Sequence, residues 1–293
     1  MHRRQVAISI GALAIAPALK AANAAERGPL FWLAKRGKAR VFLLGFSEAK
    51  DQSWFTPTIQ TAFEQSSTHW EEVAPPMSPD QINQLYLQYG FDSQRPLFDA
   101  LDPPVRERAF RYMAELGIES ASIEHMKPWR AYYVFAAAYG ARRLGAAANE
   151  PVYPDRALLG RAAKSAKSLR YEYPSFETFV RFMSGKAQSE YIAWLFDYFD
   201  ADKRGPTEKE YAWVTATGTA ISASLDRMRK LPNLYGAMQR ERNNWWAQWI
   251  DTLLATGETT FVAIGMLHVL GPDGIPRHLQ GMGVDVQESA RFA

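Results

Sequence analysis

Two segments near opposite ends of the 293-residue chain share one shape. Val41-Phe42-Leu43-Leu44-Gly45-Phe46-Ser47-Glu48 and Phe261-Val262-Ala263-Ile264-Gly265-Met266-Leu267-His268 each run four apolar residues, a glycine, two spacers and a metal-competent side chain. Short apolar runs of this kind fit strands buried on both faces, as in parallel sheets covered by helices. Glycine at the strand end lets the chain leave sharply and lets a ligand approach the backbone. In an open α/β sheet that carboxyl edge is where ligands bind. If the two strands are neighbours, Glu48 and His268 converge on one point, as metal coordination or acid–base work requires. Spacing alone leaves the alternative of two unrelated sheet exits.

The rest of the chain organises around these ends. Phe31-Trp32-Leu33, the turn Lys35-Arg36-Gly37-Lys38 and Arg40 to Gly45 predict a hairpin. Thr56 to Ser66 predicts a helix capped by Thr56 with Pro57 in its first turn, and His69 to Val73 a further strand closed by Pro75-Pro76. Strand, crossover helix and strand favour parallel pairing. The middle reads as mostly helical, with helices opening at Ser78, Pro103 and Pro128 and a brief strand over Ser168–Glu172. Its last helix places Leu234, Met238, Trp245, Trp249 and Leu253 on one face and stops at Gly257. Thr260 to Gly265 is a buried strand, Ile275 to Gln280 a short helix and Val284 to Gln287 a final strand. The expected class is α+β, a mixed α/β fold with a small, mainly parallel central sheet. N- and C-terminal βαβ-like halves (about 29–76 and 258–288) would build the sheet, with a large helical insertion (about 78–255). The whole reads as a single domain over 25–293.

His2-Arg3-Arg4, the apolar stretch Val6 to Leu19 and Ala22-Asn23-Ala24 predict a secretory signal peptide cleaved near Ala24-Ala25. The stretch is shorter than the roughly 20 residues a spanning helix needs, although an uncleaved anchor is the competing reading. The expected product is periplasmic or secreted, without stable membrane insertion after cleavage; Arg3-Arg4 leaves Sec and twin-arginine export both open. The chain holds 34 Lys+Arg against 31 Asp+Glu, and Arg3, Arg4 and Lys20 of the leader carry the whole excess. A neutral remainder without a basic run excludes a nucleic-acid partner. The absence of cysteine excludes disulfides and thiolate metal sites. Gly-x-Ser-x-Gly, Gly-x-Gly-x-x-Gly, Walker and His-Glu-x-x-His motifs are also absent.

At the two strand ends the chain resembles the TraB/GumN family, related to the pheromone-shutdown protein PrgY and the Tiki metalloproteases. The family is marked by two Gly-x-x-His motifs, a Glu after the first crossover helix and an Arg-Asn pair on the last long helix. The second motif is intact as Gly265-Met266-Leu267-His268 and runs into Val269 to Gly274. Glu72 matches the acidic residue, and Glu241-Arg242-Asn243 the late-helix pair. Ser53 to Pro57, Ala62-Phe63, Ser66 and Trp70-Glu71-Glu72 resemble the GumN branch, and Lys127-Pro128-Trp129 and Tyr171-Glu172 fit two mid-chain signatures. The likeness covers roughly residues 29–287. It departs at the first motif, where Glu48 stands in place of the family's His.

The resemblance implies a metal-dependent hydrolase or peptidase acting on a small-molecule, peptide or other amide-bearing envelope substrate. Glu48, Glu72 and His268 would hold one divalent ion (Zn, Mn or Co), and Glu72, His268 and Arg242 would be catalytic. Glu172, Asn243 and Trp246 would contact substrate. The residues give partial reasons of their own. A carboxylate at the inner end of a buried strand is costly unless paired or metal-bound, which applies to Glu72 and less strongly to Glu172. In the register that buries Trp70 and Glu72 on one face, Glu71 lies opposite. A guanidinium offers a forked donor set, so Arg242 can clamp a carboxylate or oxyanion, or else belong to a solvated helix face. Trp245, Trp246 and Trp249 read as helix-packing core rather than a sugar platform, with exposure the alternative for Trp246, which falls off the main stripe. His69 is expected to pack. With Glu48 replacing a histidine, three readings stay open: an altered metal site, a ligand site that lost its metal, or a non-catalytic binding or assembly factor for polysaccharide or envelope biogenesis.

Overall fold

In a computed structural model the described residues are 29–47, 49, 51–144, 153–186, 188–202 and 218–288. The expected signal peptide and Glu48 lie outside them. Among the described residues no helix is long and apolar enough to cross a membrane.

Six strands form one sheet: β1 (Phe31–Arg36), β2 (Ala39–Phe46), β3 (Thr68–Glu71), β4 (Ser168–Tyr171), β5 (Thr259–Gly265) and β6 (Asp285–Glu288). Their order is β4-β3-β5-β2-β1-β6. The four strands from β4 to β2 run parallel, and β1 pairs antiparallel with both β2 and β6. The fold is the mixed α/β class with a mostly parallel sheet. β2 and β5 are neighbours in a register that places Phe46 opposite Gly265, so the two glycine-ended strands finish side by side. Both are buried along nearly their whole length, as strands covered on two faces must be.

Along the chain the longer helices are α1 (Pro57–Gln65), α2 (Pro79–Tyr89), α3 (Pro103–Leu116), α4 (Pro128–Leu144), α5 (Pro154–Lys164), α6 (Phe176–Gly185), α7 (Gln188–Asp202), α8 (Gly218–Arg229), α9 (Arg242–Thr256) and α10 (Ile275–Gly281). They divide between two compact units. One holds residues 29–72, 153–172 and 218–288, and therefore the sheet with α1, α5, α8, α9 and α10. The other holds 73–144 and 173–202, an all-helical unit around Tyr112, Trp129, Phe135, Phe196 and Phe199.

In the sheet unit α1 starts as its sequence demands. Thr56 Oγ1 accepts from the Ile59 amide, Pro57 fills the first turn, and Ile59, Ala62 and Phe63 face inward. Phe63 meets Phe261 edge-on at 5.4 Å between ring centres, which ties the crossover helix to the central strand.

The helix before β5 departs from its sequence reading. A turn at Pro232–Tyr235 and a π-helical segment at Gly236–Glu241 lead into α9. A π turn takes more residues per revolution, so every later side chain is rotated relative to an uninterrupted 3.6-residue stripe. The buried face of α9 is consequently Arg242, Asn243, Trp246, Ala247, Ile250 and Leu254. Trp246 is fully buried against Trp70 and Trp249, while Trp245 is 42% exposed. The core reading of Trp246 holds, and the alternative of an exposed Trp246 offering a substrate surface is corrected.

Candidate active site

β3 brings carboxylates to the carboxyl edge of the sheet. It alternates as a strand should, with Trp70 against α9 and with His69 and Glu71 on the other face. That other face is also covered, so Glu71 is buried as well (5% exposed), a consequence of parallel-sheet burial that the alternation did not reveal. Glu72 is the first residue beyond the strand. Its amide still donates to Ala263 of β5, and then Val73 takes a left-handed conformation (φ 79°) that turns the chain away. For a β-branched residue this conformation is strained, and it sits beside the most engaged carboxylate in the unit.

Glu72 is held from three sides. One carboxylate oxygen, Oε2, accepts from the Gly265 amide at 2.5 Å. The other, Oε1, accepts from Arg242 Nη2 at 2.9 Å and lies 3.5 Å from His268 Nε2. Burial alone would raise this carboxyl. The charges of His268 and Arg242, with hydrogen bonds from His268 and Gly265, outweigh burial and bring it down to about 2.

His268 lies on the 3₁₀ turn Met266–Val269 that follows β5. Its Nδ1 is 2.5 Å from Asn243 Oδ1. The Asn243 amide nitrogen donates to the Asp273 carbonyl at 2.7 Å and to Gln239 Oε1 at 3.3 Å, so its oxygen is the atom turned to the imidazole. Nδ1 therefore donates to Asn243, and Nε2 faces Glu72, to which it donates whenever the imidazole carries its second proton. Gln239 and Asp273 carry no signal in the sequence beyond their spacing: one helical turn before Asn243, and within the Gly-Pro-Asp-Gly turn.

Arg242 spans two acids. Its Nε and Nη2 form a fork on Glu172, at 2.7 and 2.5 Å, and Nη2 reaches Glu72 as well. All three side chains are at least nine-tenths buried. Glu172 stands at the end of β4 as Glu72 stands at the end of β3, with its amide donating to the Glu71 carbonyl. Of the expected site residues, the structure thus brings together Glu72, Glu172, Arg242, Asn243 and His268. Glu172 and Asn243 are engaged within the protein, the first by Arg242 and the second by His268.

A second polar pair lies on the opposite face of β3. His69 Nε2 and Glu71 Oε1 are 2.5 Å apart. Burial, reinforced by Lys167, lowers His69 to about 3. Burial, reinforced by Asp155 and Glu72, pushes Glu71 well above the usual carboxylate range. Both shifts favour the uncharged forms, a carboxyl that donates to a neutral imidazole. His69 also packs on Phe63 and Phe261, so its expected packing role is joined by a polar partner.

A sequence model of the TraB/PrgY/gumN family matches residues 30–288, which takes in both strand ends, Glu72, Arg242 and His268. The chain belongs to the TraB/PrgY/gumN family. No curated protein and no solved structure matches it. Glu72 and His268 fit a divalent ion in two respects. A metal-binding histidine donates its other ring N–H to a fixed acceptor, and His268 does so to Asn243. Two ligands at ordinary Zn–N and Zn–O lengths lie about 3.3 Å apart around a tetrahedral ion. The 3.5 Å between His268 Nε2 and Glu72 Oε1 matches that spacing. Among the described residues no set of three or more His, Asp or Glu side chains is placed to hold an ion, and Glu48 lies outside them.

Proposed function

We propose that Glu72 and His268 form the reaction centre of an exported, metal-dependent hydrolase acting on an amide-bearing substrate of the cell envelope. The observation that carries this reading is the imidazole Nε2 facing a carboxylate oxygen at 3.5 Å while Nδ1 is fixed by Asn243. An ion such as Zn²⁺, Mn²⁺ or Co²⁺, held by His268 Nε2 and Glu72 with Glu48 as a further donor, would supply Lewis acidity toward a carbonyl and a more acidic bound water.

The chain's own residues prepare that centre. Arg242 and the Gly265 amide keep Glu72 ionised and aimed. A carboxylate held at about 2 is a weak base near neutral pH, so Glu72 serves as an anionic anchor rather than as the proton acceptor. Asn243 selects the tautomer that leaves Nε2 as the reactive atom. Arg242, expected to be catalytic, acts here through Glu72 and Glu172 as a positioning residue.

One observation favours the second reading, a non-catalytic envelope binding or assembly factor: Arg242 already satisfies both Glu72 and Glu172. Metal analysis of protein purified without chelator, paired with an amide-hydrolysis assay, separates the two. The hydrolase reading expects one divalent ion per chain. In H268A that ion is lost and turnover falls at least about a hundredfold, with the fold retained. Protein without bound metal, without turnover and without a metal-dependent rise in Tm overturns it.

A further inference from the structure

Asn243 settles which nitrogen of His268 donates to it, and Asn243 is itself settled from outside the centre. Turned over, its amide would present NH2 to Nδ1, and a neutral imidazole would then have to carry its proton on Nε2, the atom facing Glu72. Two acceptors oppose this. Gln239 Oε1 is the weaker at 3.3 Å, and a glutamine amide can turn over in its own right. The Asp273 carbonyl is the stronger at 2.7 Å, and a backbone carbonyl turns only if its chain segment moves. The direction of that carbonyl therefore decides the tautomer.

Asp273 sits in a tight turn over 271–274, between the 3₁₀ turn that carries His268 and the start of α10. The Gly274 amide closes that turn onto the Gly271 carbonyl at 3.2 Å. α8 presses on it from outside: Gly271 has φ 76°, and a Cβ there would lie 2.7 Å from Leu225 Cδ2 and 2.8 Å from Arg229 Nη2. The side chain of Asp273 is held by Tyr235, whose hydroxyl reaches Asp273 Oδ2 at 2.5 Å. Arg229 Nε donates to the same hydroxyl oxygen at 3.4 Å, which directs the hydroxyl's own proton to the carboxylate. Burial, reinforced by the bond to Asp273, raises Tyr235 and keeps that proton in place. Tyr235 is buried and ends the short turn that leads through the π segment into α9. One side chain thus ties the approach to α9 to the turn that orients the asparagine of α9.

We propose that Tyr235 is a positioning residue for the Glu72–His268 centre. It anchors Asp273, whose carbonyl orients Asn243, and Asn243 in turn keeps Nδ1 of His268 as the donor and Nε2 as the atom turned to Glu72. Its consequence for catalysis rests on the hydrolase reading, whereas the hydrogen-bond chain itself is measurable without turnover.

Proton–nitrogen correlation spectra of the full chain with isotope-labelled histidine test this, with H268A assigning the His268 signals. The Nδ1 proton is present in the imidazolium and in the neutral tautomer that Asn243 selects, so it reports in either charge state. In wild type it should give one downfield signal protected from exchange with water. In Y235F that signal should move upfield and exchange at least about tenfold faster, the value of one hydrogen bond to a charged group. D273A should do the same, and Y235F/D273A should go no further than either change alone. D273N keeps an acceptor for the phenol and should retain most of the protection. A packing role alone would lower Tm without separating D273N from D273A. An unchanged signal in Y235F overturns the proposal, as does a D273N signal as exposed as that of D273A. Should Y235F fail to fold, the comparison of D273A with D273N decides alone. Ion binding and turnover in wild type, with the signal unmoved in Y235F, remove the positioning role and leave the hydrolase. A signal that shifts in Y235F, in protein with neither ion nor turnover, removes the hydrolase and leaves the positioning role.

Discussion

Glu71 and Glu72 are consecutive carboxyls driven in opposite directions by what surrounds them. Glu72 meets Arg242, His268 and a backbone amide and stays ionised; Glu71 meets a neutral imidazole and other acids and keeps its proton. Both start near 4.5 in an unfolded chain. The Glu72 contribution to stability is present above that value and lost as pH falls toward about 2. Glu71 works the other way: above 4.5 folding must take up a proton, so its contribution is present at low pH and lost as pH rises toward its folded value. E71Q keeps a donor for His69 without that uptake. Its Tm relative to wild type should therefore rise as the pH is raised above about 5; a constant difference would show that Glu71 is ionised. Arg242 invites a different measurement. Removing it leaves two buried carboxylates without their shared cation, so R242M should cost about 3–5 kcal/mol in denaturant unfolding. R242M/E172Q should cost less than R242M alone, and a loss under about 1 kcal/mol would mean that the acids reach water. Sequence reading names Glu72, Arg242 and His268 because each stands at a strand end or in a recognisable pair. It expects Glu172 and Asn243 at the substrate, and does not foresee their partners Arg242 and His268, because a residue's type does not reveal what it meets inside the protein.

Between residues and fold stand the elements that aim them. Gly45 reads from sequence as a strand exit, but its necessity is tertiary: a Cβ there would lie 2.3 Å from Val269 Cγ2 and 3.3 Å from Met266 Cα. The end of β2 is thus pressed against the 3₁₀ turn that carries His268. G45A should destabilise by about 1–3 kcal/mol through overpacking, and V269A in the same chain should recover part of that loss. Simple additivity in urea unfolding would mean that the two positions do not share the space. The π segment at Gly236–Glu241 shows what periodicity cannot reveal. Hydrophobic spacing assumes a constant number of residues per turn, and one wide turn exchanges the roles of Trp245 and Trp246. The same slip puts Arg242 and Asn243 together on the buried face, so the feature that defeats the stripe is the one that points the site inward.

For the molecule as a whole, the buried runs and the crossover helix made a mostly parallel sheet legible, while the partners of each strand had to come from the structure. β4 read as a brief strand within a helical stretch; it extends the sheet beyond β3. α5, α8 and α9 lie in that stretch and belong with the sheet unit, because the apolar face of a helix does not say which surface it covers. The decisive arrangement is β5 lying between β3 and β2. Its registers join Phe261 to Phe42 and Thr260 to Thr68 across most of the sequence. A chain ending at Thr256 should therefore lack a cooperative melt for the sheet unit and its near-ultraviolet signal; a two-state transition in that fragment would show that β2 and β3 hold without their central partner. Contacts this distant close late in folding. Glu72 leaves the ribosome long before His268 is made, and the acid and the imidazole meet only after β5 slides between two strands made about two hundred residues earlier. The pairing of Glu72 with His268 is thus a property of the assembled sheet and of no shorter stretch of the chain.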